Sequence, residues 1–258
     1  MSKSNILPYA AVVLIILVAI GMASAGNDGG IRIFGFPIFG LGVFLIILIQ
    51  WIVFIPSYLY RTEKFFDLTG SLTFISIILL VLFLSNNIGL RTSILAALIS
   101  IWALRLGSFL FFRIKKAGED SRFHEIKQSY SRFLMTWTIQ GLWVTLSLGA
   151  AMAAITSTKN VEFGVVGVIG TVIWVIGFAI EVAADMQKSR FKADPDNKGK
   201  FISSGLWAWS RHPNYFGEII LWIGIAVIAV PALQGWQYLT LISPVFITIQ
   251  LLFISGVG

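Results

Sequence analysis

The stretch "SRHPNYFGE", Ser210 to Glu218, places Arg211, His212, Asn214, Tyr215 and Glu218 within nine residues of a chain that is 57% hydrophobic. Upstream, Glu181, Asp185, Lys188 and Lys192 recur at spacings of four, three and four, which sets them along one helical face turning from acidic to basic. One reading is an amphipathic helix end, with the two carboxylates paired to the lysines three and four positions on. An ordinary helix end does not continue with Asn197, Lys198, Lys200, Ser210, Arg211, His212, Asn214 and Glu218. That combination reads as a site. Six basic side chains and several amides at one membrane face suit a ligand with several phosphates. Pro213 fits the first turn of a helix whose free N–H groups add to anion binding. An anionic cofactor is the expected ligand.

The elements that carry these residues are apolar. Only 12% of the 258 residues are charged, and stretches of spanning length run at roughly 7–25, 36–60, 69–90, 92–113, 133–157, 161–183, 214–231 and 236–256. The fold expected is an all-α, polytopic membrane bundle of seven to eight helices forming a single domain over 1–258. The seventh stretch, which begins in the polar cluster and ends at Pro231, is the one that admits a short, tilted or re-entrant form. With the N-terminus inside, fifteen of the nineteen Lys and Arg fall in inner loops; Arg32, Arg91 and Lys159 fall outside, and Arg105 lies within a span. This predicts N-in, C-in, with the loops 114–132 and 184–212 facing the cytosol. Lys3, the first apolar run and Ala23-Ser24-Ala25 imitate a cleaved signal, but the run is longer than a signal core and a retained helix is expected.

Several chemistries find no support. There is no cysteine, so disulfides and thiolate sites are excluded. His124 and His212 are too few for a metal centre, and "DPDN" at 194–197 lacks the other ligands of a calcium loop. No G-x-G-x-x-G after a strand, Walker A or G-x-S-x-G sequence occurs. The net charge of +7 is accounted for by inner loops rather than by nucleic acid. Gly164, Gly167 and Gly170 read as close helix packing. His124 reads as solvated surface.

Two more polar residues stand out. Arg105 lies eight residues before Arg113, about 12 Å of helix rise inside the span, where it needs a partner or must snorkel past Arg113. Asp67, in "KFFDLTGS", starts the third span on the same side, as a helix cap, a chemical group, or both. Trp102, Trp207, Trp209, Tyr215 and Trp222 lie near these groups, and most aromatics in such a chain are interfacial or packing residues.

The run "ADMQKSRFKADPDNKGKFISSGLWAWSRHPNYFGEIILWIG", Ala184 to Gly224, resembles the C-terminal signature of the steroid 5α-reductase family, especially its bacterial branch. "WALRLGSFLFFRI" at 102–114 and "FFDLTGS" at 65–71 are similar to two further blocks, so the resemblance covers a catalytic core of about 65–258. It implies a helical enzyme of the bacterial inner membrane, a monomer, that binds NADPH from the cytosol and reduces the carbon–carbon double bond of a 3-oxo-4-ene steroid or sterol-like lipid. Hydride goes to the β-carbon while a donor stabilises charge on the carbonyl oxygen, and protonation of the α-carbon completes the reaction. Asn214 and Glu218 match the family's "N-[YF]-x-G-E" residues beside the nicotinamide, Asp185 an acidic cofactor contact and Arg105 an arginine near the cofactor. The surrounding Glu181, Lys188, Lys192, Asn197, Lys200, Trp207, Ser210, Arg211, His212 and Tyr215 complete the expected cofactor set. Asp67 falls where animal members carry a glutamate that holds the substrate carbonyl with a tyrosine, and Trp102 occupies the approximate place of that tyrosine. To donate a proton, Asp67 needs an apolar pocket; Tyr60 is the substitute donor. The family continues beyond the position of Gly258 with a polar tail.

"RHPNY" is also similar to the "RHPxYxG" signature of membrane methyltransferases that use S-adenosylmethionine on prenylated or phospholipid substrates. Those enzymes carry paired glutamates downstream, and none follows Glu218. The cationic cluster suits phosphates better than a methyl donor that has none. A non-catalytic sterol sensor and a transporter are the remaining classes; the transporter fits least, because the polar groups gather on one side.

Overall fold

The computed structural model describes residues 3–117 and 120–254. Eight helices are long and apolar enough to cross a membrane. They are α1 (Lys3–Gly26), α2 (Ile38–Leu59), α3 (Phe66–Ser85), α4 (Leu90–Ala117), α5 (Tyr130–Thr156), α6 (Gly164–Ala193), α7 (Pro213–Ala229) and α8 (Ile242–Ile249). A tight 3₁₀ stretch precedes α8 and a π turn continues it to Ile254; the last two residues of the span expected at 236–256 lie outside the described residues. The seventh span is a short helix that Pro213 opens at its first turn. Sequential helices run antiparallel, so the loops alternate between two ends. The end carrying 60–65, 120–129 and 194–212 is called the basic end here.

α5 is the central post. It is buried along most of its length, rich in Gly, Ala, Ser and Thr at 145–156, and packs on α1, α2, α3, α7 and α8. α6 stands at the rim with a lipid-facing side of Val165, Val168, Ile169, Val172 and Ile176. Its other side meets α7 in the most extensive helix pair of the fold. No side chain separates the two backbones there. A Cβ on Gly177 would stand 2.5 Å from Leu221 N and 2.6 Å from Gly217 O, and one on Gly224 2.7 Å from Gly170 O. Gly170 and Gly177 on α6 thus face Gly224 and Gly217 on α7, each pair seven residues apart, a seam of small residues that brings the helix axes close. Of the three glycines expected to pack helices, only Gly170 belongs to this seam. Gly164 sits at the helix start with φ +53° and open space around it, and Gly167 lies under its own neighbour Phe163.

The two ends are tied differently. At the end opposite the basic one, a two-stranded hairpin (β1, Arg32–Ile33; β2, Phe36–Pro37) and the 157–158 and 234–236 segments are knotted by hydrogen bonds, with Gln234 Nε2 reaching Gly29 O at 2.8 Å and Thr158 Oγ1 at 2.9 Å. Arg91, which reads from sequence as a loop cation, is buried at the start of α4. Its guanidinium donates to the main-chain oxygens of Ile228, Glu162 and Phe163, stapling the α7 C-terminus to the start of α6. At the basic end, Lys127 Nζ lies 2.9 Å from Glu63 Oε2, and Asp120 N donates to Glu63 Oε1 at 3.0 Å. Phe123 then packs with Phe54, Phe133 and Trp137. The segment expected as a solvated loop is therefore held down by a buried ion pair.

Two predictions follow from this packing. Gly177→Leu forces side-chain atoms into main-chain atoms that cannot yield, and should cost more than the roughly 1–3 kcal/mol typical of overpacking; thermal unfolding in detergent should show it, with Gly21→Ala, which meets nothing, as the silent control. Glu63 is buried, which pushes its pKa up, but hydrogen bonds from Lys127 and the main chain outweigh this and hold it below the ordinary 4.5. Its stabilisation is therefore full above the unfolded value and lost as pH falls through the folded one. Proteolysis of 120–129 should rise below about pH 4.5 in the wild type, whereas Glu63→Gln should be cut readily at neutral pH with little further acid dependence.

Candidate functional site

Arg105 faces α6 from α4, and Glu181 and Asp185, one turn apart, face it in return. One arm of its guanidinium pairs with Glu181 Oε1 and the other with Asp185 Oδ2. A planar fork can hold two carboxylates at once, which an ammonium cannot do with the same geometry. Both acids are buried, at 2% and 9% exposure. The glycine seam adds a third: Gly217 lies against the Glu181 backbone, and Glu218 stands within electrostatic reach of Glu181, Asp185 and Arg105. Two carboxylates thus share one arginine, with a third within electrostatic reach. The carboxylates do not pair with Lys188 and Lys192, as an amphipathic helix end would have it, and Arg105 does not snorkel.

Around this group several buried polar atoms have no hydrogen-bond partner among the described residues. Glu181 Oε2, Asn214 Oδ1 and the indole nitrogens of Trp102 and Trp222 are among them. Trp102 adjoins Glu181, yet neither forms a bond of good geometry with the other. Asn214 precedes Glu218 by one turn and so shares its helix face. Buried donors and acceptors are rarely left unpaired without a functional cause. Trp102 also stacks edge-on with Trp222 at 5.0 Å and Phe74 at 5.2 Å, forming an aromatic wall beside the charges.

Towards the basic end the charges reverse. Asp67 lies 3.8 Å from Arg113, and Arg122, bound to Asp120, is in reach of Asp67 and Tyr215. Asp67 does not cap α3: Phe65 holds the cap position without a side-chain bond, and Asp67 sits in the first turn. The 205–208 turn folds back onto the end of α6, where Trp207 Nε1 donates to Ala184 O at 3.0 Å and Leu206 N to Gln187 Oε1 at 2.9 Å. Lys188 then lies over the Trp207 ring at 4.6 Å. His212 stacks on Tyr215 at 5.0 Å. Burial, with help from Lys188 and Arg211, lowers the His212 pKa below the ordinary 6.5.

Not every expected residue joins this group. Lys192, Lys200, Ser210 and Arg211 are exposed, and Asn197 is used locally, donating to Phe191 O and Asp194 Oδ2. Tyr60 is 81% exposed at the end of α2 and its hydroxyl makes no hydrogen bond among the described residues. Arg113, Arg122 and Trp222 enter the site although the sequence reading assigned them no role in it; Arg113 carried a signal as the end of the Arg105 helix and Trp222 as an aromatic near the polar groups, while Arg122 carried none. A cavity of about 430 Å3 lies elsewhere, at the opposite end, lined by Ser24, Asn27, Asp28, Arg32, Thr158 and Trp236. Its main polar groups are already engaged, Asp28 Oδ2 by Trp236 N at 2.7 Å and Asn27 Oδ1 by Gly40 N at 2.8 Å.

All four helices of the site lie within residues 53–258, which match the family described as "protein of unknown function (DUF1295)". The chain belongs to the DUF1295 family. That family falls in the steroid 5-alpha-reductase-like superfamily. Among curated proteins, the DUF1295 chain is 26% identical over 177 residues to an uncharacterized protein of Schizosaccharomyces pombe, covering 57% of this chain and 51% of the relative. It is 30% identical over 69 residues to 3-oxo-5-alpha-steroid 4-dehydrogenase 1 of Bos taurus, covering 27% and 26%. It is 36% identical over 58 residues to a probable O-methyltransferase of Ustilaginoidea virens, covering 22% and 20%. The DUF1295 chain therefore spans about half the length of the first of these relatives and about a quarter or less of the others. No solved structure matches it.

Removing Arg105 leaves its carboxylates buried and uncompensated. Arg105→Met should lower stability by about 3–5 kcal/mol, the usual result of breaking a buried ion pair. Adding Glu181→Gln and Asp185→Asn together should restore most of it, measured by thermal unfolding of the two variants beside the wild type.

Proposed function

We propose that this chain is an NADPH-dependent reductase of a membrane-soluble enone of the 3-oxo-4-ene steroid type, working at the basic end, which we place in the cytosol by its cationic loops. The observation that carries the reading is the ordering of charge along the site. Buried acceptors without donors lie inside, at Glu181 Oε2 and Asn214 Oδ1, and cations lie at the mouth, at Lys188, Arg113 and Arg122. A phosphorylated dinucleotide has the matching order of groups, with amide and ribose hydroxyl donors at one end and phosphates along its length. The residues fit it in that orientation, and the inner carboxylates would repel its phosphates in the reverse one.

When bound, NADPH supplies the hydride that the β-carbon of the enone accepts. Asn214, Glu181 and Glu218 would hold its amide and ribose donors, and Lys188, over Trp207, would meet a phosphate. Arg105 positions Glu181 and Asp185, and its charge is already matched by them. Trp102 turns an unpaired indole N–H into the same buried region, where it can donate to the carbonyl oxygen as negative charge develops there. Asp67, half-buried between that region and Arg113, is assigned to the proton that ends on the α-carbon. The aromatic wall of Trp102, Phe74, Trp143 and Trp222 excludes water from the apolar substrate, which enters from lipid.

The likeness to a probable O-methyltransferase keeps a second reading alive, and the surplus of buried carboxylates also suits a sulfonium donor. The cations at the mouth favour the dinucleotide. Purified protein should bind NADPH and oxidise it when given a 3-oxo-4-ene steroid. Asn214→Ala and Glu218→Gln should each cut turnover at least about tenfold with expression unchanged, in line with the loss of one hydrogen bond to a buried group. Label transfer from a tritiated methyl donor, with no NADPH oxidised, would replace this reading with the methyltransferase.

A further inference from the structure

Two amide side chains well inside the bundle have no role in the site described above. Gln50 on α2 and Gln140 on α5 are 0% and 5% exposed. Gln50 is nine residues from the end of α2 and Gln140 ten from the start of α5, which puts both about 14–15 Å from the basic end. Gln50 Nε2 donates to Thr73 Oγ1 at 3.0 Å, and that hydroxyl gives its own proton to Thr69 O at 2.7 Å. Gln140 Nε2 donates to Phe66 O at 2.9 Å. A main-chain carbonyl only accepts, and the Thr73 proton is already committed, so neither amide can be flipped. Their oxygens are therefore the free ends. Gln50 Oε1 and Gln140 Oε1 are buried with no donor among the described residues.

Both amides pack against α3, Gln50 at Thr73 and Gln140 at Phe66. A Cβ on Gly141 would stand 3.3 Å from Gln50 Cγ, and one on Gly70 2.5 Å from Gln140 Nε2 and 3.6 Å from the Trp143 ring. From Trp143 the aromatic wall is continuous: Phe74 lies 4.9 Å from Trp143 and 5.2 Å from Trp102, which adjoins Glu181. Packed aromatic rings therefore run from the carboxylate group to the two buried acceptors. Leucine or methionine would fill either position without the penalty of an unpaired amide oxygen in a low-dielectric interior.

We propose that Gln50 and Gln140 form a subsite for a hydroxyl group of the substrate, at the end of the molecule remote from the reacting double bond. Resting on the reductase reading, this narrows the substrate to a hydroxylated enone lipid and disfavours one with a ketone at the far end, because a hydroxyl has one proton to give to either amide oxygen, whereas a ketone is a further acceptor with none.

The test compares a 3-oxo-4-ene steroid bearing a far-ring hydroxyl with the analogue bearing a ketone there. Affinity is read from quenching of tryptophan fluorescence in detergent-purified wild-type protein without cofactor, and NADPH oxidation is followed separately. The hydroxyl form should bind at least about tenfold more tightly, the discrimination expected when buried polar groups are left unpaired. Gln50→Leu and Gln140→Leu should each erode that preference by raising the affinity for the ketone. Equal affinity of the two steroids for the wild type overturns the subsite and leaves those oxygens to water, whatever the variants do. A preference without NADPH oxidation sustains the subsite and removes the reductase reading; oxidation of NADPH with either steroid alike does the reverse.

Discussion

The glycine seam between α6 and α7 is the constraint on which the site depends. Where Gly177 meets Gly217 and Gly170 meets Gly224, main chain touches main chain, and the register of one helix on the other is set by positions that admit no side chain. That register puts Glu218 beside Glu181 and Asn214 one turn nearer the basic end. A slip of one helical turn, about 5.4 Å, would separate them. The seam also explains why three acids can be gathered in an apolar bundle. Each costs several kcal/mol to desolvate, on the order expected for a buried ion, and the fork of Arg105 offsets that only if the carboxylates arrive in fixed places. Rigid backbone contact supplies the fixing, so the ion pairs act as a lock on a geometry that packing has already chosen.

From that core the molecule divides its polar groups by function. Inside, acceptors dominate; at the mouth, Lys188, Arg113 and Arg122 dominate, held by the Trp207 ring, Asp67 and Asp120. The Glu63–Lys127 pair contributes indirectly, since it fastens the segment from which Arg122 projects. The far end has a different logic. Asp28 and Arg91 spend their hydrogen bonds on main-chain groups of neighbouring loops, and Gln234 on main-chain and hydroxyl groups, so that end closes the bundle and anchors α7 against slippage.

The eight spans were legible because length and apolarity suffice to mark a helix that crosses a membrane, and Pro213 marked the start of α7 by its fixed backbone. Arg105 was legible as a lone charge in an apolar run. Its partners were not: Glu181 and Asp185 lie 76 and 80 residues away, and local spacing pointed instead to Lys188 and Lys192. Asp67 stood where a cap belongs, yet α3 already begins at Phe66, with Phe65 at the cap, and leaves Asp67 to Arg113. The loop before α5 read as solvated because its charges could not be assigned to Glu63. Most of the seam escaped as well, since Gly177, Gly217 and Gly224 fall singly among apolar residues and acquire meaning only as opposing pairs. Gln50 and Gln140 carry no charge and no motif, so only the three-dimensional pattern of their bonds singles them out.

The central claim is that the inner acceptors and outer cations belong to one site. An experimental density map of the protein with NADPH tests it most directly. The account predicts density that touches Asn214 and Glu181 at one end and Lys188 at the other, with the α6–α7 seam closed as described. Density confined to the cavity at the opposite end, or Arg105 released from both carboxylates without a ligand nearby, would contradict it.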